Sequence, residues 1–268
     1  LNQSVAAARA GAAVLHAGLI GRDGNMLLEK LVESGVDCSL LEHSEGVSGH
    51  AIIQVDDRGQ NCILLHGGTN RMMTEEYVEH ALDAFGGSGL VLLQNETNLV
   101  GSIIAHAKAK GLMTALNAAP MDEAVFSYPL EQLDWLIVNE VEGAAIARCT
   151  REEDILPALE RAYPHLNVLL TLGERGSVCV CGGEQTRFGA YRVKTADTTA
   201  AGDTFLGYFL NETINGAEVS DALALATAAS ALCVQVMGAA DSIPPRERTL
   251  SAVRSGELGE LLPWGGWR

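Results

Sequence analysis

Residues 197–205 carry the strongest chemical signal in the sequence. They read Asp-Thr-Thr-Ala-Ala-Gly-Asp-Thr-Phe and lie between a predicted strand and a predicted apolar helix. A small residue such as Gly202 lets a ligand approach the backbone, and amides in the first turn of a helix have no partner inside the helix. The segment therefore predicts an anion site in which Asp203 serves as a general base beside those amides. A plain capping role for Asp203 is the alternative.

Two further segments place polar groups at the ends of predicted strands. Asn139, Glu140 and Glu142 follow an apolar run, where carboxylates can act on a metal ion through its bound water. A solvated first turn favoured by the helix dipole is the alternative. Residues 171–176 read Thr-Leu-Gly-Glu-Arg-Gly, and their glycines alone would indicate only an ordinary turn.

The elements that must position these residues alternate between helix and strand. Apolar runs predict strands at residues 13–20, 90–95, 113–117, 134–139, 168–172, 178–181 and 191–193. The periodicity of apolar and small residues predicts helices at 2–10, 25–34, 75–85, 99–110, 202–213 and 219–237. Continuous apolar strands between helices are typical of a parallel sheet covered on both faces, so we expect an α/β fold.

Residues 47–66 break this alternation. Two β-rich runs at residues 50–55 and 61–66 are joined by Asp56-Asp57-Arg58-Gly59, whose residue types suit a tight turn. We expect a β-hairpin that stands off the main sheet as a lid.

Composition limits the class of protein. The 268 residues, 47% hydrophobic and 19% charged, predict one globular domain over residues 1–268. A formal net charge of −16 disfavours nucleic acid and anionic membrane surfaces as partners. The six cysteines lack zinc-type spacing, and no apolar stretch reaches the roughly 20 residues of a membrane span. We therefore expect a cytoplasmic protein with reduced thiols.

The motifs together resemble the ribokinase-like (PfkB) carbohydrate kinases. Residues 197–205 look like the second signature of that family, and Asn2 looks like the end of its first, glycine-rich signature. Glu96 and the turn at residues 117–120, Asn-Ala-Ala-Pro, resemble the sugar-binding strand ends of the family. Residues 139–142 resemble its Asn-Glu-x-Glu motif, although Val138 replaces the usual leading proline.

The resemblance implies a role for each matching residue. Asp203 is the base, with Ala200, Ala201 and Gly202 forming the anion hole, and Asn2, Glu96 and Asp203 contact the sugar. The implied ATP contacts are Asn139, Thr171, Leu172, Gly173, Glu174, Arg175, Gly176, Gly202 and Thr227. Glu142 and Asn139 act on Mg²⁺ through water. A monovalent cation, K⁺ by resemblance, is implied at Asp197, Thr199, Cys233, Val236, Gly238 and Ser242.

The resemblance also implies a ribokinase-like three-layer sandwich with a small β lid. The glycines of the first signature, an Asp on the first strand and half of the lid would precede Leu1. We expect an incomplete chain, because a missing strand would leave an open sheet edge. The alternative is a protein that lacks part of its sugar site. Tyr208 stands where the second signature usually has Gly or Ala.

The implied function is ATP-dependent phosphorylation of a small sugar, with ribose as the first candidate and its primary hydroxyl as the acceptor. Fructose, a phosphosugar or a nucleoside are alternatives of the same class, and a catalytically silent sugar- or nucleotide-binding protein is an alternative of another class. No lysine has the spacing of a P-loop. Pairing of the exposed hairpin predicts a homodimer through the lid.

Overall fold

The computed structural model describes residues 1–55, 61–85 and 88–267. Its strands are β1 (Leu15–Ile20), β2 (Asp37–His43), β3 (His50–Val55), β4 (Asn61–His66), β5 (Leu90–Gln94), β6 (Met113–Asn117), β7 (Trp135–Asn139), β8 (Asn167–Thr171), β9 (Ser177–Cys181) and β10 (Glu184–Phe188). Its helices are α1 (Asn2–Ala10), α2 (Asn25–Glu33), α3 (Glu75–Asp83), α4 (Val100–Ala109), α5 (Glu140–Ala147), α6 (Ile155–Ala162), α7 (Ala201–Ile214), α8 (Val219–Cys233) and α9 (Arg246–Ser255).

Six strands form the central sheet in the order β10-β9-β8-β7-β6-β5. Strands β5 to β8 are parallel, whereas β9 and β10 run antiparallel to their neighbours. Each of the four parallel strands ends in a polar residue: Gln94, Asn117, Asn139 and Thr171. Because the carboxyl ends of parallel strands meet at one edge of the sheet, these four side chains are gathered where open α/β sheets bind ligands.

Side-chain alternation along β7 divides the core into two layers. Leu136 and Val138 belong to the cluster that includes Ile155 of α6, on one face of the sheet. Trp135 and Ile137 belong to the cluster that includes Phe209 of α7, on the other face. Helices thus cover both faces of a mostly parallel sheet, which confirms the three-layer α/β sandwich.

Strands β1 and β2 form a separate parallel pair. Among the described strands, β1 pairs only with β2 and β5 only with β6. A cavity of about 640 Å³ lies between β1 and β5, with Ala17 and Leu19 on one side and Leu92 and Gln94 on the other. The sheet edge that we expected to be open is therefore that of β5.

Strands β3 and β4 form an antiparallel hairpin, which is a two-stranded sheet of its own. Its exposed residues include the apolar Ile52, Leu64 and Leu65, which are 52%, 55% and 60% exposed, and the polar His50, Gln54 and His66. The predicted turn, Asp56 to Gly59, lies outside the described residues.

Two predicted elements were wrong in type or length. The strand at residues 191–193 is absent from the described chain, where Tyr191 makes a single antiparallel bridge to Leu261. The helix expected to reach residue 237 ends at Cys233, because the next residues turn back so that the amide of Gly238 reaches Asp197.

Five of the described helices and strands were not predicted: β2, β10, α5, α6 and α9. Strands β2 and β10 carry polar side chains such as Asp37 and Glu184 and lack a continuous apolar run. Helices α5 and α6 contain Gly143 and Pro157, residue types that disfavour a helix interior, and α9 begins with the polar run Arg-Glu-Arg-Thr.

Tyr208 occupies a buried position on α7 without leaving its hydroxyl unsatisfied. The side chain is 0% exposed, and the hydroxyl donates to the carbonyl of Pro244 at 2.8 Å. Burial raises the pKa of this phenol to about 12. The large residue is therefore held between α7 and the segment that precedes α9.

Helix α1 packs directly on α7 through small residues. A Cβ atom at Gly207 would lie 2.5 Å from the Cβ of Ala6 and 2.6 Å from the amide nitrogen of Ala7. Both Ala6 and Gly207 are buried. This close approach brings the amino end of α1 beside the amino end of α7.

We expect Gly207→Ala to lower the free energy of unfolding by about 1 to 3 kcal/mol, because the added methyl group overpacks this contact. The matched control is Gly202→Ala in the same helix, where a Cβ meets no atom within 4 Å. The control should be neutral or stabilising by up to about 1 kcal/mol, as helix propensity predicts. Urea denaturation of both variants measures the difference, and equal stabilities would contradict the packing argument.

Candidate active site

A cavity of about 330 Å³ lies where the parallel strands end and α7 begins. Its lining combines the four strand-end residues with the first turn of α7 and the turn that follows β5. The lining residues are Gln94, Glu96, Asn117, Ala119, Ile137, Asn139, Glu142, Thr171, Thr198, Ala200, Ala201, Gly202, Asp203, Phe205 and Leu206. The strand ends and the helix start therefore contribute to one site.

The start of α7 leaves amides without partners at the cavity. Ala200, the residue before the helix, has a left-handed backbone with φ 62°. The amide of Ala201 donates to the carbonyl of Thr198 at 3.2 Å. Within the described chain, the amides of Gly202 and Asp203 make no hydrogen bond. Two adjacent amides at a helix start can hold an anionic oxygen.

Asp203 lies in the same turn, and its carboxylate is oriented by α1. The side-chain amide of Asn2 donates to Oδ2 of Asp203 at 3.1 Å. Next to it, the buried side chain of Gln3 donates to Oδ1 of Asn117 at 3.0 Å. Both α1 residues thus bind groups of the cavity wall, and Asn2 does so from 201 residues away in the sequence.

Glu96 lies on the turn after β5, and its neighbour Asn95 fixes that turn. The side-chain amide of Asn95 is fully buried and donates to the carbonyl of Pro120 at 2.8 Å and to Asp122 at 2.9 Å. The peptide bond before Pro120 is cis. Arg71 donates to the carbonyl of Thr97 at 2.8 Å on the other side. The carboxylate of Glu96 is itself exposed at the cavity.

Asn139 and Glu142 form a capping box at the start of α5. The backbone amide and side-chain amide of Asn139 donate to the two carboxylate oxygens of Glu142 at 3.0 and 2.9 Å. Burial raises the pKa of Glu142, which is 8% exposed. In the described chain no Lys or Arg contacts this carboxylate. A buried carboxylate at a cavity without a cationic partner suits the hydration water of a metal ion.

The described residues do not form a complete metal cage, because no group of three or more His, Cys, Asp or Glu side chains is close enough to hold an ion. A divalent ion here would need oxygens from its ligand as well as protein-bound water. Asn139 and Glu142 meet that requirement, because their oxygen atoms can bind the hydration water of such an ion.

The predicted nucleotide loop contacts the cavity only at its first residue. Thr171 lines the cavity, whereas the side chain of Leu172 is 2% exposed and packs in the core. Gly173 has φ 58° and Glu174 is exposed. The loop therefore extends from the cavity toward solvent.

Arg175 of this loop turns away from the cavity. Its guanidinium donates to both carboxylate oxygens of Glu152 at 2.6 and 3.0 Å and to Glu140 at 3.5 Å. Gly176 follows with φ 98°, a conformation that favours glycine. Arg175 thus joins the loop to the first turn of α5.

The structure brings five of the predicted cation residues together. The carboxylate of Asp197 accepts from the amides of Thr199 at 2.9 Å and Gly238 at 3.0 Å. These hydrogen bonds, with one from the Thr199 hydroxyl, lower the pKa of Asp197. Sγ of Cys233 lies 3.1 Å from Oγ of Ser242. Two loops therefore meet beside the start of α7.

Val236 and Thr227 are two further predicted residues that lie outside the cavity lining. Val236 is 50% exposed. Thr227 on α8 is 6% exposed, and its hydroxyl finds no hydrogen-bond partner in the described chain. A buried, unsatisfied hydroxyl is costly and is available to a ligand.

Sequence reasoning assigned no role to Gln3, Thr198, Phe205 or Leu206, although Gln3 braces the cavity wall and the other three line it. Phe205 and Leu206 read as ordinary core residues of an apolar helix. Their position in the first turns after Asp203 is the signal that could have identified them.

Known proteins resemble the chain over most of its length. Residues 1–246 match the family described as pfkB family carbohydrate kinase. Ribokinase of Staphylococcus aureus (strain COL) is 35% identical over 256 residues, which cover 91% of this chain and 83% of that protein.

Two solved structures share the fold. Ribokinase from Cryptococcus neoformans var. grubii serotype A in complex with ADP has a TM-score of 0.82 and 30% identity, covering 93% of this chain and 86% of that one. Arabidopsis thaliana ribokinase complexed with ribose and ATP has a TM-score of 0.81 and 27% identity, covering 94% and 86%. No helix in the described part of the chain is long and apolar enough to cross a membrane.

The raised pKa of Glu142 predicts a pH-dependent stability of the nucleotide-free protein. The native state holds this proton more tightly than the unfolded state, so the stabilising contribution is complete below about 4.5 and is lost as the pH rises through the native pKa. Compared with the parent, Glu142→Gln should therefore become relatively more stable as the pH rises from 4.5. Urea denaturation of both proteins across this range tests it, and a constant difference in stability would contradict it.

Proposed function

Because this chain belongs to the pfkB family of carbohydrate kinases, we propose that its substrate is ribose and that ATP phosphorylates the primary hydroxyl of the sugar. The observation that carries the proposal is the first turn of α7, where the Asp203 carboxylate and two unpartnered amides line one cavity. ATP as the donor is supported by the relatives whose structures contain ADP or ATP.

Asp203 is the general base of the proposed reaction. Its carboxylate accepts the proton of the sugar hydroxyl while the hydroxyl oxygen forms a bond to the γ-phosphorus. The bond from that phosphorus to the bridging oxygen breaks at the same time, and ADP leaves. The hydrogen bond from Asn2 keeps Oδ2 of Asp203 in place, so that the other oxygen is available for the proton.

The amides of Gly202 and Asp203 stabilise the charge that builds on the phosphoryl oxygens. The amide of Ala201 can join them only by exchanging its hydrogen bond to Thr198. A bound Mg²⁺ would supply positive charge that offsets the charge of the phosphate groups. Asn139 and Glu142 would hold it through water, and the ionised Glu142 would gain the cationic neighbour that it lacks among the described residues.

Ribose is favoured by the relatives and by the charge of the cavity. The S. aureus and A. thaliana relatives are ribokinases, and the second is complexed with ribose. None of the lining residues is Lys, Arg or His, whereas a phosphosugar would bring a second phosphate that normally requires such a residue. Glu96 and Asn2 are the proposed sugar contacts, and the β3–β4 hairpin is the proposed lid.

A monovalent cation, K⁺, is proposed for the loops at residues 197–199 and 233–242. The support is that Asp197, Thr199 and Gly238 are already hydrogen-bonded together beside the start of α7. Ligation through backbone oxygens tolerates Cys233 at this place. An ion there would stiffen the loop that precedes the anion site.

A homodimer through the lid and a cytoplasmic location complete the proposal. The exposed apolar residues Ile52, Leu64 and Leu65 of the hairpin support a partner surface. The five described cysteines are free thiols, as expected where the surroundings are reducing.

We expect Asp203→Asn to reduce turnover of ribose by about 10² to 10⁴-fold, the usual loss on removing a general base. ATP affinity should change little, because asparagine keeps the shape of the residue and its hydrogen bond with Asn2. Coupled assay of ADP release and calorimetry with ATP measure the two quantities. Parent-like turnover would reject Asp203 as the base, and a parent protein without turnover of any sugar would reject the kinase assignment.

We expect Glu96→Ala to raise the KM for ribose by about tenfold or more, since hydrogen bonds to a charged group contribute roughly 1.5 to 3 kcal/mol. The KM for ATP should stay within about twofold, because Glu96 does not lie in the predicted nucleotide loop. Glu29→Ala, which removes an exposed carboxylate on α2, is the matched control and should leave both constants unchanged. Equal shifts in both KM values, or in neither, would count against a sugar contact.

A further inference from the structure

Residues 261–267 lie beside residues 173–176 of the predicted nucleotide loop. We call residues 261–267 the tryptophan tail, after Trp264 and Trp267. The amide of Gly265 donates to the carbonyl of Arg175 at 2.9 Å, and the guanidinium of Arg175 lies 3.4 Å from the carbonyl of Gly266. The family match ends at residue 246, so the tail lies outside the matched residues.

Two glycines let the tail, the end of β10 and the nucleotide loop touch backbone to backbone. A Cβ atom at Gly189 would lie 1.8 Å from the carbonyl oxygen of Leu262. A Cβ atom at Gly176, in the loop, would lie 2.0 Å from the carbonyl oxygen of Phe188. Because neither position can hold a side chain without displacing backbone, the three segments are packed as tightly as their chains allow.

The two tryptophans fix the tail on the body of the domain. Both pack against the core cluster on the α5–α6 face of the sheet. Their rings meet edge to face with centroids 5.1 Å apart, and the guanidinium of Arg187 lies 4.9 Å from the centroid of the Trp264 ring. These contacts anchor the segment that carries Gly265.

Arg175 connects the tryptophan tail to the first turn of α5, which contributes Glu142 to the cavity. Its side chain is only 10% exposed and is held by Glu152, Glu140 and the carbonyl of Gly266. Glu140 belongs to the same turn of α5 as Glu142, which lines the cavity. A displacement of the tail would therefore disturb a nearly buried ion pair next to two parts of the nucleotide site.

We propose that the tryptophan tail is a positioning element for the nucleotide: it holds Arg175 and residues 173–176 in the conformation that binds ATP. This proposal rests on the proposed function, since it deepens the account of the same site. Neither tryptophan lines the cavity, so both act through Arg175. The tail should consequently affect nucleotide affinity and leave sugar affinity unchanged.

Trp264→Ala tests the proposal in the full chain, with Leu261→Ala as matched control, because Leu261 lies in the same tail with its side chain 42% exposed. The dissociation constant for ATP, measured by calorimetry, should rise about threefold to tenfold in Trp264→Ala, as for other residues that act through a neighbour. The KM for ribose should stay within about twofold. Trp264→Phe, which keeps an aromatic ring, should restore ATP affinity close to that of the parent.

Gly265→Ala provides a second route if Trp264→Ala folds poorly. Its Cβ would lie 3.0 Å from Cβ and Cγ of Arg175, so it disturbs the same contact without removing a ring, and it should weaken ATP binding in the same direction. Unchanged ATP affinity in both variants, or a parallel loss of ATP and ribose affinity with a lower Tm, would overturn the proposal. A parent that binds ATP without turning over ribose would reject the proposed function, while the ATP affinities would still decide the role of the tail.

Discussion

The left-handed turn at Ala200 is the constraint on which the rest of the site depends. Alanine rarely adopts φ 62°, so the buried face of α7 must offset the strain. The turn starts the helix without a capping side chain, and the amides of Gly202 and Asp203 are left for a ligand. A residue that capped the helix in the ordinary way would satisfy such amides from within the protein. The proposed anion site thus depends on the left-handed backbone at Ala200, which precedes the first turn of α7.

The other polar side chains of the cavity lie near this turn because the central sheet and α1 position them there. Parallel strands bring Gln94, Asn117, Asn139 and Thr171 to one edge, although 77 residues separate the first from the last. Helix α1 adds Asn2 through its close packing on α7. Among the described lining residues the charge has one sign, since Asp203, Glu96 and Glu142 are acidic and none is Lys, Arg or His. The proposed binding of a polyphosphate at this site therefore relies on amides and a metal ion and not on cationic side chains.

The sequence predicted those features of the fold and the site that depend on residues close to one another in the chain. Apolar runs predicted β5 to β9, and neighbouring residues indicated the candidate segments around Asp203 and Asn139, although the capping box between Asn139 and Glu142 was not predicted. Contacts between distant segments could not be read in this way: the Arg175–Glu152 ion pair, the Gln3–Asn117 hydrogen bond and the bridge between Tyr191 and Leu261 join residues far apart in the chain. Strand β10 was missed because its residues are mostly polar, as an edge strand allows.

The contact between α1 and α7 also constrains how this sequence can diverge. Ala6 and Gly207 pack directly against each other, so a larger residue at either position is tolerated only after the helices have separated. Separation would draw Asn2 away from Asp203. The effect of a substitution at this contact therefore depends on whether Asn2 still reaches Asp203. We expect neutral substitutions to accumulate on the exposed faces of the two helices, while the residues at the contact between them remain small.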